Sequence, residues 1–493
     1  MAIAFDTIPG NLRVPLFYAE LSAGGTPFAS SERLLLIGQK LPAGAAVAEE
    51  PILVPSSSQA EDALFGQGSM LSQMIRIARR NAPFQEIWAL PFDDAGGAAA
   101  ATGAVDYTTL TLPVAIAQTV SLYVAGRRYA VTATPASTAA TIATAMAAEI
   151  NADADAPVTA TDAAGVVTIT ARHAGDLGNG IDIRTTLIGG ETIISGEATV
   201  TAMAGGATDP TITAGLANLA DEDFLWLASP YADATNTTAL TDLLNNQSGR
   251  WSPYQQLYGH AVTAKIDTVA NLSTLGSGLN DPHLTVMGSN GMPSPVWELT
   301  AALGAKVAQH LSDAPELSRP LHYIELEGIV APKVSDRFGI SDKNVLLYDG
   351  IATHGVSRAG AVTIERAITT YKTNAAGGAD ATFLDIQTMA QSQYILRYLR
   401  TKVLSRHARQ GLAGDDTPAI NGVARPKDIR ATLIAGYAEL TNLGVVENQR
   451  AFEDALIVER NAVDYNRVDV SLPFDVVNQL RVLAVQATAN LQF

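Results

Sequence analysis

The seven histidines are the residues of this chain best suited to acid–base chemistry or metal binding, because imidazole titrates near neutral pH. Two of them would face one zinc ion from a helix only if they stood four positions apart. No pair has that spacing, since they are His173, His260, His283, His310, His322, His354 and His407. The sequence therefore predicts structural or surface roles for all seven.

Motifs for nucleotide binding and for nucleophilic catalysis are also missing from the sequence. No G-x-x-x-x-G-K-[ST] loop is present, and the segment Gly66-Gln67-Gly68 lacks the third glycine of a dinucleotide-binding turn. No G-x-S-x-G elbow is present either, and the chain contains no cysteine that could act as a nucleophile or bind a metal.

Paired carboxylates could serve as a general acid and base, and they occur at 93–94 and 415–416. Both pairs lie beside glycine and alanine, which predicts solvated turns. Asn151, Asp153 and Asp155 have the first three oxygen ligands of a calcium loop, but the glycine and the distal glutamate that complete it are absent. We therefore expect no catalytic residue, no cofactor and no metal site.

Composition bounds the class of protein. The chain has 493 residues, enough for two to four domains, and only 16% of them are charged, which fits burial in an assembly. The net charge of -17 disfavours nucleic acid as the main partner, because phosphate binding needs clustered cations. We expect no signal peptide, since the first residues lack a basic segment followed by an apolar one, and no apolar run is long enough to cross a membrane.

The chain alternates between strand and helix patterns, which predicts an α/β fold with a layered core and a largely parallel sheet. Ser58 is a candidate N-cap for a helix that runs through 70–80. The predicted strands and helices of this unit are, in order, the strands 33–39 and 86–92, a helix at 211–219, the strand 223–231, a helix at 238–245, the strands 261–267 and 283–289, and a helix at 297–311.

Residues 96–206 differ in character, being rich in Ala, Thr and Gly and poor in charge. Glycine-rich segments stand at both ends, and β-rich runs surround one alanine-rich helix at 138–154. This pattern predicts a β-rich domain inserted into the core. The predicted domains are a segment at 1–20, an α/β domain at 21–95 with 207–320, the insertion, a third unit at 321–480 and a terminal segment at 481–493.

The third unit combines several patterns. Strands are predicted at 321–332, 344–352, 361–371, 452–460 and 466–474, and helices at 384–412 and 426–444. The first of these helices has five cations beside an apolar stripe and no acid among them, namely Arg397, Arg400, Lys402, Arg406 and Arg409. Two interpretations remain open: a solvated helix face, or a docking surface for an acidic partner.

Near the end of the chain, apolar and polar residues alternate with a period of two. Such alternation is typical of a strand with one buried face. The apolar positions are Leu483, Val485, Ala487, Ala489, Leu491 and Phe493. A terminal strand of this kind needs a partner, because a few residues cannot bury enough surface to offset the entropy of ordering them.

Seven stretches of the sequence resemble the Mu-like family of contractile phage tail sheath proteins, and together they span nearly the whole chain, with residues 96–206 matching least. They are PGNLRVPLFYAE (9–20), GRWSPYQQLYGHAVTA (249–264), NDPHLTVMG (280–288), SPVWELTAALGAKVA (294–308), RFGISDKNVLLYDGIATHGV (337–356), ITTYKTNAAGGADATFLDIQT (368–388) and LIVERNAVDYNRVDVSLPFDVVNQLRVLA (456–484).

The resemblance implies a structural subunit of the virion and no enzyme. Such subunits polymerise helically around an inner tail tube and contract to drive the tube through the host envelope. Their other partners are baseplate and tail terminator proteins. They assemble in the cytoplasm of the host bacterium. Extended terminal arms add strands to sheets of neighbouring subunits, and inserted domains face outward.

The resemblance also assigns roles to residues. The expected inter-subunit strand faces are Ile3, Phe5 and Ile8 in one arm and Leu483, Val485, Ala487, Leu491 and Phe493 in the other. We assign the inner-tube contact to the five cations of the predicted helix at 384–412, called here the basic helix: Arg397, Arg400, Lys402, Arg406 and Arg409. The main alternative is an α/β enzyme, such as a hydrolase with an unrecognised site, and a weaker one is a β-rich adhesin.

Overall fold

A computed structural model describes residues 32–186 and 193–489 of the chain. Its strands are β1 (Arg33–Gln39), β2 (Ile52–Leu53), β3 (Glu86–Phe92), β4 (Ala100–Asp106), β5 (Gln118–Val124), β6 (Arg127–Ala133), β7 (Val158–Ala163), β8 (Val166–Ala174), β9 (Ile183–Arg184), β10 (Thr199–Ala204), β11 (Trp226–Ala228), β12 (His260–Ile266), β13 (Leu284–Ser289), β14 (Glu325–Val330), β15 (Ile351–Val356), β16 (Ala361–Arg366), β17 (Gly411–Leu412), β18 (Val423–Ala424), β19 (Ile457–Arg460) and β20 (Val468–Ser471).

Its α-helices are α1 (Ser58–Phe65), α2 (Met70–Asn81), α3 (Ala139–Ala152), α4 (Thr213–Ala217), α5 (Ala234–Leu244), α6 (Val269–Ser277), α7 (Val296–His310), α8 (Ile340–Tyr348), α9 (Ile386–His407), α10 (Pro426–Asn442) and α11 (Gln449–Ala455). Within the described residues no helix is long and apolar enough to cross a membrane.

A nine-stranded sheet forms the centre of the molecule, in the order β14-β16-β15-β13-β12-β11-β1-β3-β2. The run from β15 to β3 is parallel, and antiparallel pairs occur at both ends. Parallel strands are covered on both faces and read as continuous apolar runs, as in β1, where Leu34, Leu35, Leu36 and Ile37 have no exposed surface. The predicted α/β class and the largely parallel sheet are confirmed.

Two helical layers cover this sheet. Helices α2 and α7 lie on one face, where Gly38 of β1 approaches Met70 and Met74 of α2. Leu90 and Phe92 alternate with Pro91, the register partner of Gly38, so they point to the opposite face, and there they meet α4. Helices α5, α6 and α8 lie on that second face with α4. The second layer therefore runs from α4 beside β3 to α8 beside β15.

For several elements, the predicted first residue or the predicted type of secondary structure is wrong. Ser58 does not cap α2; α1 begins there, and the chain turns at Gly66 and Gly68 before Ser69 caps α2 by accepting a hydrogen bond from the Ser72 amide. The segments predicted as strands at 344–352 and 452–460 begin with helical residues of α8 and α11. Short apolar runs do not distinguish a buried helix from a strand.

The Ala/Thr-rich segment forms two small sheets, β10-β4-β8-β7 and β6-β5-β9, with α3 packed on both. Its two connections to the core run side by side, because the backbone groups of Ala99 and Ala207 form a reciprocal pair of hydrogen bonds of 3.1 Å. Asp94, predicted as a solvated turn residue, instead binds this domain through His173 Nδ1 at 2.9 Å and the Ala174 amide at 2.9 Å.

The predicted domain boundary at residue 320 cuts through the central sheet, since β14, β15 and β16 follow it and β15 pairs in parallel with β13. A second hydrophobic core lies farther along the chain, around α9 and α10. It includes Ile395, Leu399, Leu433, Tyr437 and Phe452. The change of structural unit therefore falls between β16 and α9.

Candidate assembly surfaces

The chain after β20 lies across the first turns of α9 in an extended course. Val476 bridges to Val446, and the Val477 amide donates to the Val445 carbonyl at 3.0 Å. Gln391 of α9 is fully buried and donates to the carbonyl of Val477 at 2.9 Å. These contacts fix the terminal segment to the body of the molecule.

Arg481 ends this fixed stretch at a carboxylate that two arginines share. Asp385, just before α9, lies 3.0 Å from Arg481 Nη2 and 3.3 Å from Nη2 of Arg366 at the end of β16. Arg481 also donates to Gln387 Oε1 at 2.9 Å. One carboxylate thus joins the central sheet, the second core and the root of the terminal segment.

Residues 482–489 continue from this root without a partner in the part of the chain that the structure describes. No strand is assigned to them. The side chains of Val482, Leu483 and Val485 are 81%, 80% and 76% exposed, which is unusual for residues of this type. The predicted strand face therefore stands open at Leu483, Val485 and Ala487, while Leu491, Phe493 and the other predicted arm residues, Ile3, Phe5 and Ile8, lie outside the described residues.

The hairpin β19–β20 is an open two-stranded sheet near the same core. Its strands pair antiparallel from Ile457↔Ser471 to Arg460↔Val468, and the sheet contains no third strand among the described residues. Ile457 and Val470 are 56% and 44% exposed. An isolated hairpin is marginal in water, and a third strand with an apolar face stabilises it.

The basic helix separates into paired and unpaired cations. Arg397 is paired with Asp223 at 3.2 Å, and Lys402 with Glu439 at 2.6 Å. Partial burial of Glu439 tends to raise its pKa, but hydrogen bonds from Lys402 and Tyr398 outweigh this and hold the pKa below its usual range.

Arg400, Arg406 and Arg409 have exposed side chains, and no ion pair links them to the described residues. The sequence could not separate the two groups of cations, because the paired acids are distant in the chain. Arg400 and Arg406 lie on the second half of α9 with exposed Leu404 between them, whereas Arg409 lies beyond the end of the helix, which is shorter than the predicted 384–412.

The acidic residues that the sequence offered as candidate catalytic or calcium-binding groups are used in separate structural contacts. Asp153 binds Arg127 and Tyr129, Asp155 binds Arg76, and the Asn151 amide binds the backbone of Ala160. Asp93 pairs with Lys40 at 2.7 Å. Among the described residues no three His, Asp or Glu side chains converge to hold a metal.

Two buried histidines also make structural hydrogen bonds. His260 bonds Thr285 Oγ1 at 2.8 Å and His283 bonds Asn246 Oδ1 at 3.1 Å, where it also stacks on Trp251. Burial lowers the pKa of His283 to about 3. Such a histidine is neutral and packed, and is no proton donor at neutral pH.

Sequence signals did not reveal the residues that anchor the terminal segment. Asp385, Arg366 and Arg481 are far apart in the chain, and no motif relates them. Gln391 stands among other polar residues, including Gln387, Ser392 and Gln393, so the sequence does not single it out as the one that holds the terminal segment.

Comparison with known proteins identifies relatives for nearly the whole chain. Residues 205–370 match the central domain of phage tail sheath proteins, and residues 379–490 match the phage tail sheath C-terminal domain. The Mu-like prophage FluMu tail sheath protein of Haemophilus influenzae is 34% identical over 491 residues, covering 98% of this chain and 99% of that protein.

Three solved structures that match this chain come from two sheath tail proteins and from a baseplate. The sheath tail protein of Desulfitobacterium hafniense has 12% identity and a TM-score of 0.49, covering 94% of this chain and 97% of its own. A sheath tail protein from Listeria innocua has 13% identity and a TM-score of 0.48, covering 92% and 93%. A chain of the anti-feeding prophage baseplate has 12% identity and a TM-score of 0.48, covering 97% and 100%.

Proposed function

Because this chain belongs to the phage tail sheath proteins, a family of structural virion components, we propose that it polymerises helically around an inner tail tube and contracts to drive that tube through the host envelope. Its partners in this proposal are other copies of itself, the inner tube protein, and baseplate and tail terminator proteins. Assembly takes place in the host bacterial cytoplasm.

One observation carries the proposal: the terminal segment is held firmly at its root and has exposed apolar side chains beyond it. Residues 476–481 are bonded to α9 and to the Val445 backbone, whereas Leu483 and Val485 face solvent. An extended segment with unpaired backbone groups binds by adding a strand to another sheet. A donor segment on one copy and an acceptor on another make a head-to-tail contact, which generates a filament when it does not close.

The acceptor that fits best is the β19–β20 hairpin of a neighbouring copy. Its edges are open within the described residues, and its exposed apolar residues, Ile457 on one face and Val470 on the other, can each contact a side chain of an added strand. Backbone hydrogen bonds to such an edge stay formed while the connecting residues bend. This property suits a contact that must survive a large movement of the subunits.

We propose that the exposed half of the basic helix faces the inner tube. Arg400, Arg406 and Arg409 contribute most, because the charges of Arg397 and Lys402 already interact with acids of the same chain. Exposed cations steer an acidic partner and fix its register more than they add affinity. Replacing the three arginines with glutamate should abolish co-assembly with tube protein and leave self-assembly intact.

Electron microscopy of the purified chain tests polymerisation directly. We expect long striated tubes from the wild type, and discrete particles from a chain that ends at Arg481 and retains its helical circular dichroism and melting temperature. Discrete particles from the wild type under all solution conditions would contradict the proposal.

A matched substitution separates strand addition from simple loss of chain. The double variant Leu483→Ser and Val485→Ser keeps the length and the backbone of the segment but removes its apolar face. We expect it to polymerise poorly. The control pair Thr488→Ser and Gln486→Ser changes polar positions of the same segment and should polymerise like the wild type.

A further inference from the structure

The second helical layer of the central sheet has a groove at one end. The groove lies between α4 and α5, is open to solvent, and has a volume of about 590 Å³. Small side chains line it, which lets the backbone of a docked element come close. They are Ala217, Ala234, Thr235, Thr238 and Ala239.

The other end of the same layer has an exposed apolar face. Ile340, Val345 and Tyr348 of α8 are 88%, 48% and 77% exposed, and Val334, six residues before α8 in the chain, is 78% exposed. On a helix these three positions fall within an arc of about 140°. Their exposure is a feature of interaction surfaces, because soluble monomers seldom leave a contiguous patch of this kind uncovered.

Charges of opposite sign occur near the two features, and α8 also carries the exposed Asp342, whose carboxylate accepts from the Gly339 amide at 3.1 Å. Lys333 precedes Val334 in the chain and is exposed, and no ion pair joins it to the described residues. Asp242 lines the groove, is exposed, and forms no salt bridge with any cation in the described part of the chain. A cation beside the apolar face and an anion in the groove attract each other when the two surfaces meet.

We propose that the α8 face of one copy docks in the α4–α5 groove of a second copy. This inference rests on the proposed helical polymer and specifies a contact within it beyond the terminal arms. The two surfaces differ and lie at opposite ends of one helical layer, so a copy that uses one keeps the other free. That arrangement extends the layer head to tail without closing it.

Cysteine cross-linking tests the contact, because the chain has no cysteine of its own. In tubes of a chain that carries both Val345→Cys and Ala239→Cys, mild oxidation should produce a ladder of disulfide-linked oligomers that reduction abolishes. The control pair Ile116→Cys with Ala239→Cys, which uses an exposed apolar residue of the inserted domain, should produce none. Equal cross-linking of the two pairs would overturn the inference.

Polymerisation measurements supply a second test. The double variant Ile340→Ser and Tyr348→Ser should raise the protein concentration at which tubes appear by about tenfold or more, since removing two apolar contacts weakens each added subunit. Phe84→Ser, which alters a residue 98% exposed elsewhere, should have no effect. Tubes that form as readily from the double variant as from the wild type would contradict the docking contact, with the helical polymer left standing.

Charge exchange gives a final check. Lys333→Asp and Asp242→Lys should each raise the required concentration several-fold, and the combined variant should return it toward the wild-type value. Independent effects of the two substitutions would speak against their meeting in the polymer. If the wild type itself formed no tubes, both the polymer and this contact would be refuted.

Discussion

At the scale of single residues, carboxylates control how the parts of this molecule are joined. Asp385 holds two arginines from different parts of the chain, and both guanidinium groups are mostly buried. Glu298, in the first turn of α7, is buried. Burial raises its pKa to about 7, and the charge of Arg127 in the inserted domain offsets this only in part. The two residues therefore affect stability in opposite ways.

Replacing Asp385 should weaken the fold. Asp385→Asn leaves Arg366 and Arg481 close together without their anion, which we expect to cost about 2–4 kcal/mol in the free energy of unfolding. Asp428→Asn is the matched control, because Asp428 pairs with Arg425 at a more exposed helix start and should cost about 1 kcal/mol or less. Urea unfolding of the three proteins measures this, and equal losses would refute the shared role of Asp385.

Glu298 should make stability depend on pH. The unfolded chain loses the Glu298 proton near pH 4.5 and the folded chain keeps it to about pH 7, so the folded state binds more protons between these values and becomes less stable as pH rises. Glu298→Gln removes this cost.

We expect the stability of Glu298→Gln relative to the wild type to increase by about 3 kcal/mol between pH 4.5 and pH 8. Glu149→Gln, at an exposed position of α3, should show no such trend. A gap that stays constant across this range would contradict the effect of burial. Denaturant titrations at the two pH values provide the measurement.

At the scale of elements, the inserted domain is bound to the core through polar contacts and close backbone approach. Gln73 of α2 accepts from Trp297 at 2.8 Å and donates to the backbone of Asp155 at 3.1 Å. Gly68 has a φ of +79°, and a Cβ there would lie 2.6 Å from the carbonyl oxygen of Ala154. These contacts leave little room between the two parts.

Gly68→Ala should therefore destabilise the protein more than a comparable change elsewhere. Gly97 has a φ of +77°, but a Cβ added there would meet no atom within 4 Å, so Gly97→Ala carries only the backbone cost of about 1 kcal/mol. We expect Gly68→Ala to cost at least about 1 kcal/mol more, as the inserted domain moves away. Similar melting temperatures for the two variants would show that the contact can relax freely.

The strength of apolar patterns explains which elements could be predicted. The runs 33–39 and 86–92 predict β1 and β3 with their bounds, because buried parallel strands are apolar throughout. The segment 344–352 fails at its start, since the apolar run Val345, Leu346 and Leu347 resembles a short strand, whereas it lies in α8 with only Leu346 buried. The terminal strand face could be proposed from alternation, but its anchor on Asp385 and Gln391 depends on tertiary contacts that no local pattern records.

At the scale of the whole molecule, the net charge opposes association between copies, and the exposed apolar side chains favour it. The net charge of -17 makes copies of the chain repel one another, while the terminal segment and the α8 face expose apolar side chains that we propose to be covered by other copies. The exposed Arg400, Arg406 and Arg409, in α9 and just after it, are a local exception. The response to salt therefore depends on which partner is bound.

Salt should promote self-assembly and oppose binding to the tube. Raising the ionic strength from about 0.01 M to about 0.15 M shortens the screening length from about 30 Å to about 8 Å. We expect the concentration needed for sheath polymers to fall over this range, and the affinity for purified tube protein to decrease. Light scattering and co-sedimentation measure the two, and salt that strengthened both interactions, or weakened both, would contradict the proposed division of charge.

The fixed root at Arg481 makes the residues after it a tether of limited reach. The eight described residues that follow, 482–489, can span at most about 28 Å when fully extended. A neighbour that captured part of this segment could therefore rotate and slide while it remained attached, but only as far as the uncaptured residues between Arg481 and the added strand can extend. If the tail shortened collectively, the terminal segment would transmit the displacement of one subunit to the next and would keep neighbouring rings connected.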